Sequence, residues 1–249
     1  MNIILFKDDN IPEKISTNDE KARHILKILK LKTGDTFNCG LINGPSGTGK
    51  ITEIDQENIH FAWEKTADAI PLFPLTLLIG YTRPISSKRI LREATSLGVQ
   101  KIIFTGTDTG EKSYRDSNLW KGEYKRYLIA GAEQAASTGL PEVIFYKDLQ
   151  SFFKDNSINH GNSVSDNGFS VIDKIVLDNI EPSIKLSEYR PKNKSFLLAI
   201  GSERGWSERE RKLFKKNNFI FASLGRRVLR TETASTAGIT LLLARMALL

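Results

Sequence analysis

The chain has 249 residues, and its hydrophobic and charged fractions, 40% and 26%, are ordinary for a globular protein with one large domain or two smaller ones. The formal net charge of +7 favours a polyanionic partner, most simply nucleic acid. The single Cys39 excludes an internal disulfide and a cysteine-rich zinc site, and because the three histidines are far apart we expect no metal. No signal peptide or bilayer-spanning apolar run is evident, which predicts a cytoplasmic protein with no membrane partner.

The first predicted element is a helix. Thr17 and Glu20 form a capping box, and the helix that it starts is predicted to run to about Leu31. Its basic residues recur at helical spacing, and one more lysine follows: Arg23, Lys27, Lys30 and Lys32. A basic stripe of this kind can neutralise successive phosphates of RNA, and it is equally typical of a solvated helix face.

Short alternating segments follow the helix and predict a small β-barrel or sandwich: Thr36–Ile42, Lys50–Ile54 and Ile59–Trp63. Between the first two, Gly44–Lys50 matches most of a phosphate-binding P-loop. The match fails at Ile51, where the magnesium-binding Ser or Thr belongs, and the next residues alternate like a strand instead of a helix. We therefore interpret the segment as a glycine-rich hairpin loop, with an NTPase as the weaker alternative.

Pro71 and Pro74 mark a predicted boundary between a domain at 1–70 and a larger α/β domain at 74–249. The larger domain is predicted to contain the strand Leu75–Gly80, a helix capped by Ser86 or Ser87 and ended by Gly98, the strand Val99–Phe104, a helix near 118–136, the strand Lys174–Leu177, a helix opened by the capping box Ser207–Glu210, and a last helix from about Ala234. The first strand–helix–strand unit implies parallel pairing. Residues 155–168 read as a flexible surface loop, and the small and apolar residues of the last helix are compatible with a homodimer interface.

Two glycine-bearing segments near the C-terminus are the best candidates for a site. Ile200–Gly205 follows the predicted buried strand Phe196–Ile200, and Ser223–Thr233 follows the run Phe219–Leu224. Loops that leave the same end of neighbouring strands form a pocket lined with backbone N–H and C=O groups, where open α/β sheets bind small molecules. The alternative is two strand-to-helix turns without a chemical role.

These segments resemble the cofactor motifs of the 16S ribosomal RNA uridine N3-methyltransferases, enzymes of the SPOUT superfamily. Leu198–Gly205 is similar to Ile-Gly-Pro-Glu-Gly-Gly, with Ser202 for Pro and Arg204 for Gly. Ser223–Ala234 is similar to Leu-Gly-x-Arg-Ile-Leu-Arg-Thr-Glu-Thr-Ala almost throughout. Three other segments resemble family motifs in the expected order: His24–Asp35, Glu93–Gly98 and Ala132–Ala135.

The resemblance implies a PUA-like β-barrel domain that binds RNA, followed by a SPOUT α/β domain whose chain forms a C-terminal trefoil knot. It implies S-adenosylmethionine as the cofactor, bound inside the knot, and a homodimer. The implied partner is 16S rRNA or the small ribosomal subunit. The implied reaction is methyl transfer to N3 of a uridine.

The resemblance also implies the site residues. The cofactor-binding residues would be Ile200, Gly201, Glu203, Gly205, Ser223, Leu224, Gly225, Val228, Leu229 and Thr233. Arg230 is the candidate for stabilising negative charge on the uracil oxygens. Glu203 or Glu232 is the candidate proton acceptor, since a partly buried Glu can have a raised pKa. The structural alternatives are that Glu232 caps the last helix and that Glu203 pairs with Arg204 or Arg230.

Beside the NTPase, two more rival functions stay open on sequence grounds. Arg204 adds a long cation to the cofactor loop, which is compatible with an RNA-binding homologue of impaired catalysis. Since one fold serves several substrates, a target in tRNA or a ribose 2′-OH is the other alternative.

Overall fold

The computed structural model describes residues 2–7, 10–155 and 172–249, so the predicted loop at 155–168 lies, beyond Asp155, outside the described residues. The chain packs into two compact units. The first contains Met1–Pro71 and Ile129–Leu140, and the second contains Leu72–Leu128 and Pro141–Leu249. The domain division at 1–70 and 74–249 stays a prediction.

The first unit is built on a five-stranded sheet. Its strands are β1 Ile4–Phe6, β2 Lys14–Ser16, β3 Thr36–Leu41, β4 Ser46–Ile54 and β5 Asn58–Ala67. They lie in the order β1-β3-β4-β5-β2, with β1 parallel to β3 and the other neighbours antiparallel. Alternate side chains of the strands point into one apolar core, where the rings of Phe37 and Phe61 pack edge to face with centroids 5.2 Å apart.

The cap of the N-terminal helix was predicted two residues too early. Helix α1, Glu20–Arg23, begins after Asp19, whose side chain accepts a hydrogen bond from the backbone N–H of Lys21 at 2.7 Å. The Thr17 hydroxyl instead donates to the backbone carbonyl of Glu57 at 3.2 Å. The prediction failed because both Thr and Asp are good N-caps, and a tertiary contact takes up the hydroxyl of the first.

A π-helical turn, His24–Ile28, follows α1 directly. Lys30 then adopts φ of 55°, so the helix ends before the predicted Leu31. The predicted RNA-binding side chains are all exposed in this region: Arg23, Lys27, Lys30 and Lys32. They do not form a regular α-helical stripe, because the wider π turn changes the spacing and the last two residues lie beyond the helix.

The segment that matches most of a P-loop forms no phosphate cradle. Residues from Ser46 onward already belong to β4, which is earlier than the predicted start at Lys50. A Cβ on Gly47 would lie 2.0 Å from the backbone oxygen of Glu64, and one on Gly49 would lie 2.7 Å from the ring of Phe37. The two glycines are therefore needed for close packing of strands, which explains the composition without a nucleotide.

Glu133 belongs to the segment Ala132–Ala135, which resembles a family motif, and it holds the N-terminal strand β1 in place. Its carboxylate accepts a hydrogen bond from the backbone N–H of Leu5 at 3.3 Å, and its backbone carbonyl accepts one from Asn2 at 2.8 Å. Burial raises the pKa of the Glu133 carboxyl. This acid has a structural role in the first unit.

The second unit is built on a seven-stranded, wholly parallel sheet. Its strands are β6 Phe73–Gly80, β7 Val99–Thr105, β8 Glu142–Tyr146, β9 Ile172–Leu177, β10 Ile184–Lys185, β11 Ser195–Ile200 and β12 Ile220–Ser223, in the order β10-β12-β9-β11-β6-β7-β8. The remaining α-helices of the described residues are α2 Pro84–Ser96, α3 Lys112–Arg115, α4 Tyr124–Gln134, α5 Leu149–Lys154, α6 Glu208–Lys216 and α7 Thr231–Arg245, and two short 3-10 helices cover Asn118–Lys121 and Leu186–Glu188. None of the described helices has the length and apolarity needed to cross a membrane.

Helix α2 begins earlier than predicted. Pro84 occupies its first turn, where the missing N–H costs nothing, and Arg83 is the N-cap residue. The predicted caps, Ser86 and Ser87, are buried inside the helix. Gly98 ends this stretch with φ of 73°, as predicted.

The two C-terminal helices leave the strands that carry the glycine-bearing segments. The predicted capping box of α6 is confirmed, with Ser207 and Glu210 bonded reciprocally. Helix α7 begins at Thr231, three residues before the predicted Ala234. A Cβ on Gly238 would lie 3.1 Å from a methyl group of Leu198, so α7 packs closely against the sheet.

The sequence predicts that the strands before the two glycine-bearing segments are neighbours, and this prediction is wrong. β9 lies between β11 and β12 and pairs with both in parallel. The carboxyl ends of three strands therefore meet at one edge of the sheet, and the residues after β9 join the other two segments there.

Candidate active site

A cavity of about 230 Å³ lies at the carboxyl ends of β9, β11 and β12. Its walls come from the three segments that follow these strands: residues 177–180, residues 200–206, and residues 222, 224, 227–229, 231 and 234, with Arg211 of α6. Backbone, apolar and charged groups all line it. This is the position in which open parallel sheets bind small molecules.

The turn after β11 requires glycine at two positions. A Cβ on Gly201 would lie 2.8 Å from the Cα of Gly205, so only glycine allows the two backbones to approach so closely. Gly205 has φ of 68°, and its N–H donates to the carbonyl of Ser202 at 2.9 Å. The turn therefore presents main chain to the cavity.

Two threonines after β7 hold this turn in place. The Thr107 hydroxyl donates to the Ser202 hydroxyl at 3.0 Å, and the Thr109 hydroxyl donates to the Gly205 carbonyl at 2.6 Å. Ser202 is 5% exposed, so this network is shielded from solvent. A proline, which the related motif has at this position, would offer no hydroxyl to Thr107.

A buried acid fixes the same loop to α6. The carboxylate of Glu210 accepts hydrogen bonds from the backbone N–H groups of Asp108, at 2.9 Å, and Ser207, at 2.8 Å. Burial raises the pKa of Glu210, and these hydrogen bonds oppose the shift. The helix after the glycine turn is thereby tied to the loop that supports the turn.

A buried ion pair forms part of the cavity wall. The Arg211 Nε donates to Asp178 Oδ2 at 2.6 Å, and both residues line the cavity. The other oxygen of Asp178 accepts the backbone N–H groups of Ile180 and Glu181. The pair therefore joins the segment after β9 to α6.

A second cavity, of about 520 Å³, adjoins the first and shares four lining residues with it: Glu203, Val228, Leu229 and Thr231. The other residues of this arginine groove are Arg83, Ile85, Ser86, Arg89, Arg230 and Glu232. Glu203 Oε1 accepts the backbone N–H of Arg83 at 2.8 Å, and the Arg89 guanidinium lies 3.6 Å from the Glu232 carboxylate. Among the described residues, Arg230 has no ion-pair partner.

The lining of the groove holds three arginines and two acids. The hydrogen bond between Arg83 Nε and the Tyr114 hydroxyl, 3.2 Å long, together with the nearby Glu203 carboxylate, raises the pKa of Arg83 further above its ordinary value.

The described residues hold no cluster of three or more His, Cys, Asp or Glu that could bind a metal ion.

The structure brings most of the predicted site residues together. Seven of the predicted cofactor residues line the first cavity: Ile200, Gly201, Glu203, Gly205, Leu224, Val228 and Leu229. The lining does not include Ser223, Gly225 or Thr233; Ser223 pairs with Lys185 in the sheet, and the other two are exposed. All three predicted catalytic residues, Glu203, Arg230 and Glu232, line the arginine groove. The four predicted RNA-binding residues lie in the first unit.

Neither structural alternative for the two acids is seen. The N-cap residue of α7 is Arg230, without a side-chain cap bond, so Glu232 does not cap the helix. Glu203 bonds to the backbone N–H of Arg83, and in the described residues it forms an ion pair with neither Arg204 nor Arg230.

Sequence reasoning missed several lining residues. Asp178, Asn179 and Arg211 line the cavity, and Arg83 and Arg89 line the groove. Asp178 could have been found, because it directly follows a predicted strand at the edge where ligands bind. Arg211, four residues beyond its helix cap, offered no such signal.

The class of the protein follows from comparison with known proteins. Residues 69–243 match the RNA methyltransferase domain family, and residues 17–62 match the RNA methyltransferase PUA domain family. The first match contains every residue of both cavities. The chain is thus built as an RNA methyltransferase with an N-terminal PUA-like domain.

Whole-chain relatives narrow the class. Ribosomal RNA small subunit methyltransferase E of Treponema pallidum is 37% identical over 98% of this chain and 91% of its own length. Ribosomal RNA small subunit methyltransferase E 1 of Borreliella burgdorferi is 34% identical over 95% of each chain. The chain therefore belongs to the ribosomal RNA small subunit methyltransferase E family of RNA methyltransferases. The Neisseria gonorrhoeae member, solved bound to S-adenosyl methionine, has the same fold, with a TM-score of 0.73 at 19% identity, covering 98% of this chain and 97% of its own.

Proposed function

We propose that this chain transfers a methyl group from S-adenosylmethionine to N3 of a uridine in 16S ribosomal RNA. The observation that carries the proposal is the cavity formed by the Gly201–Gly205 turn and the segment Leu224–Thr231, because these two segments hold the motifs shared with the family. The names of the relatives support a ribosomal RNA substrate, and the cofactor-bound Neisseria structure supports the cofactor.

The residues of the cavity fit this cofactor. A Cβ on Gly205 would meet no atom within 4 Å, so the turn leaves room beside its backbone for a ligand. Ile200, Leu224 and Leu229 supply apolar surface for an adenine ring, and the backbone of the turn supplies hydrogen-bonding groups. When bound, S-adenosylmethionine supplies a methyl group that its sulfonium charge has already activated.

The protein's own task is then alignment and charge stabilisation. In the transfer the methyl carbon gains a bond to N3 and loses its bond to sulfur, while the N3 proton passes to a carboxylate. Arg230 is exposed in the groove beside the cavity and is proposed to stabilise the negative charge on the uracil oxygens. Glu203 and Glu232 line the same groove, so either is a candidate for the proton acceptor.

The RNA is proposed to contact the exposed basic residues of the first unit as well: Arg23, Lys27, Lys30 and Lys32. The family match to a PUA domain, which begins at residue 17, supports this assignment. Ile28 beside them is 67% exposed, which adds apolar surface to the basic region. Small ribosomal subunits and free 16S rRNA are both candidate substrates.

Three further proposals concern assembly and setting. The chain is proposed to form a trefoil knot where the segments after β9, β11 and β12 meet, and to act as a homodimer. It is proposed to work in the cytoplasm, where the free and buried Cys39 would stay reduced. Size-exclusion chromatography with light scattering tests the dimer.

Incubation of the purified protein with S-adenosylmethionine and either 16S rRNA or small subunits, followed by nucleoside mass spectrometry, tests the reaction. We expect 3-methyluridine. A 2′-O-methylated nucleoside, or methylation of tRNA instead, would replace this proposal with the alternative target. If titration calorimetry detected no binding of the cofactor, the chain would be an RNA-binding homologue of impaired catalysis.

A further inference from the structure

We infer that the arginine groove is the site of the acceptor nucleotide, with Arg83 and Arg89 binding the phosphates beside the target uridine and Ile85 and Val228 contacting its base. This inference rests on the proposed function, because it names the substrate subsite next to the proposed cofactor cavity. The groove and the cavity share Glu203, Val228 and Leu229, so a base in one would lie against a ligand in the other.

The charge of the region favours a polyanion. Six arginines and three acids line the groove and the cavity together: Arg83, Arg89, Arg204, Arg211, Arg227 and Arg230, with Asp178, Glu203 and Glu232. In the described parts of the chain, Arg204, Arg227 and Arg230 have no ion-pair partner. Arginine is well suited to phosphate because its planar fork binds two oxygens at once.

Contacts with neighbouring residues position the side chains of two groove arginines but leave part of each guanidinium group free to bind a phosphate. Arg83 is tethered at Nε by the Tyr114 hydroxyl, and its backbone N–H binds Glu203. Arg89 lies 3.6 Å from Glu232, yet its side chain is 53% exposed. Both guanidinium groups therefore stand at the groove with donors available to an incoming phosphate.

The apolar residues of the groove suit a base. Ile85 is 63% exposed and Val228 is 82% exposed, which places two large hydrophobic side chains in solvent beside the cations. Exposed apolar surface rimmed by polar groups typically marks a binding site. A uridine taken out of its helix presents an apolar face to such residues and an anionic backbone to the arginines. We therefore assign the groove to RNA and not to a second protein chain.

The test compares two arginines of α2 that differ in position and little else. Arg89 lines the groove and pairs with Glu232, whereas Arg92 lies three residues on, outside the groove, and pairs with Glu93 at 3.3 Å. The variants Arg83→Gln and Arg89→Gln are measured against Arg92→Gln. Each is titrated with a uridine-containing 16S rRNA fragment by fluorescence anisotropy at several salt concentrations, and its affinity for S-adenosylmethionine is measured by calorimetry.

We expect Arg83→Gln and Arg89→Gln to bind the cofactor like the wild type, to raise the Kd for RNA, and to lower the slope of log K against log salt by about 0.7 to 1 each. Arg92→Gln should match the wild type. The inference is overturned if both groove variants bind RNA with wild-type affinity and slope. If the wild type binds RNA but transfers no methyl group, the proposed function fails, while the comparison of salt slopes still decides the role of the groove.

Discussion

The Arg211 Nε lies 2.6 Å from the Asp178 Oδ2, and this pair is buried in the wall of the candidate cofactor cavity. The side chains are only 9% and 1% exposed. A buried ion pair stabilises a fold weakly by itself, but the loss of one partner leaves an uncompensated charge. The pair therefore makes the segment after β9 depend on a residue of α6.

Removal of one partner should show this dependence. We expect Arg211→Met to lower the free energy of unfolding by about 3–5 kcal/mol, because the Asp178 carboxylate stays buried without its cation. Adding Asp178→Asn should recover much of the loss, since Asn keeps an oxygen for the backbone N–H groups of Ile180 and Glu181. Urea unfolding of the single and double variants measures the coupling.

The matched control is Lys212→Met on the same helix, where the cation pairs with Glu208 at the surface. It should leave the urea midpoint unchanged. Equal losses for Arg211→Met and Lys212→Met would show that the buried pair has no special role.

Gly201 provides a test of the turn itself. We expect Gly201→Ala to abolish cofactor binding, because its Cβ would lie 2.8 Å and 2.9 Å from two backbone atoms of Gly205, which cannot move without opening the turn. Gly122→Ala is the control: its φ of 115° makes the substitution strained, by about 1–2 kcal/mol, but no atom lies within 4 Å of the new Cβ. Calorimetry with S-adenosylmethionine should detect binding to the control only, and binding to both would refute this role of the turn.

Arg230 should act on the chemical step and not on cofactor binding. We expect Arg230→Ala to bind S-adenosylmethionine like the wild type and to have a kcat lower by a factor of about 10²–10³. This is the usual effect of removing one hydrogen-bond donor to a developing negative charge. Arg226→Ala, an exposed arginine of the same segment that lines neither cavity, is the comparison. Single-turnover kinetics with saturating RNA separate the two, and a wild-type rate for Arg230→Ala would remove it from the mechanism.

Glu133 should make the stability of the protein depend on pH. Burial raises the pKa of this carboxyl above its ordinary value of 4.5, so the folded state holds the proton more tightly than the unfolded state. At a pH between the pKa of the unfolded state and that of the folded state, folding therefore takes up a proton. The free energy of unfolding falls as the pH rises through this range. We expect the wild type to lose stability relative to Glu133→Gln as pH rises above 4.5. Urea unfolding across pH measures this difference, and a constant difference would contradict the assignment.

The parallel α/β domain was predictable from the sequence because it depends on local signals, whereas the residues of the candidate site came from the family resemblance and stay a prediction. The glycine spacing in Ile200–Gly205 and the capping box at Ser207 describe a turn and a helix start that form where expected. The position of β9 between β11 and β12 was not predictable in the same way, since an apolar run carries no record of which strands it will pair with.

Contacts between residues that are distant in the sequence could not be predicted from it either. Asp178 and Arg211 are 33 residues apart, and only the folded sheet edge brings them together. The cap of α1 at Asp19 and the π-helical turn after it were missed for a related reason, because tertiary contacts decide between local choices of similar energy.

Mass spectrometry of 16S rRNA from cells that lack this protein tests most directly whether the cavity and groove form a uridine N3-methyltransferase site. One 3-methyluridine should be missing, and it should return with the wild-type protein but not with Arg230→Ala. An unchanged set of methylated nucleosides, or restoration by Arg230→Ala, would contradict the proposed function of the site.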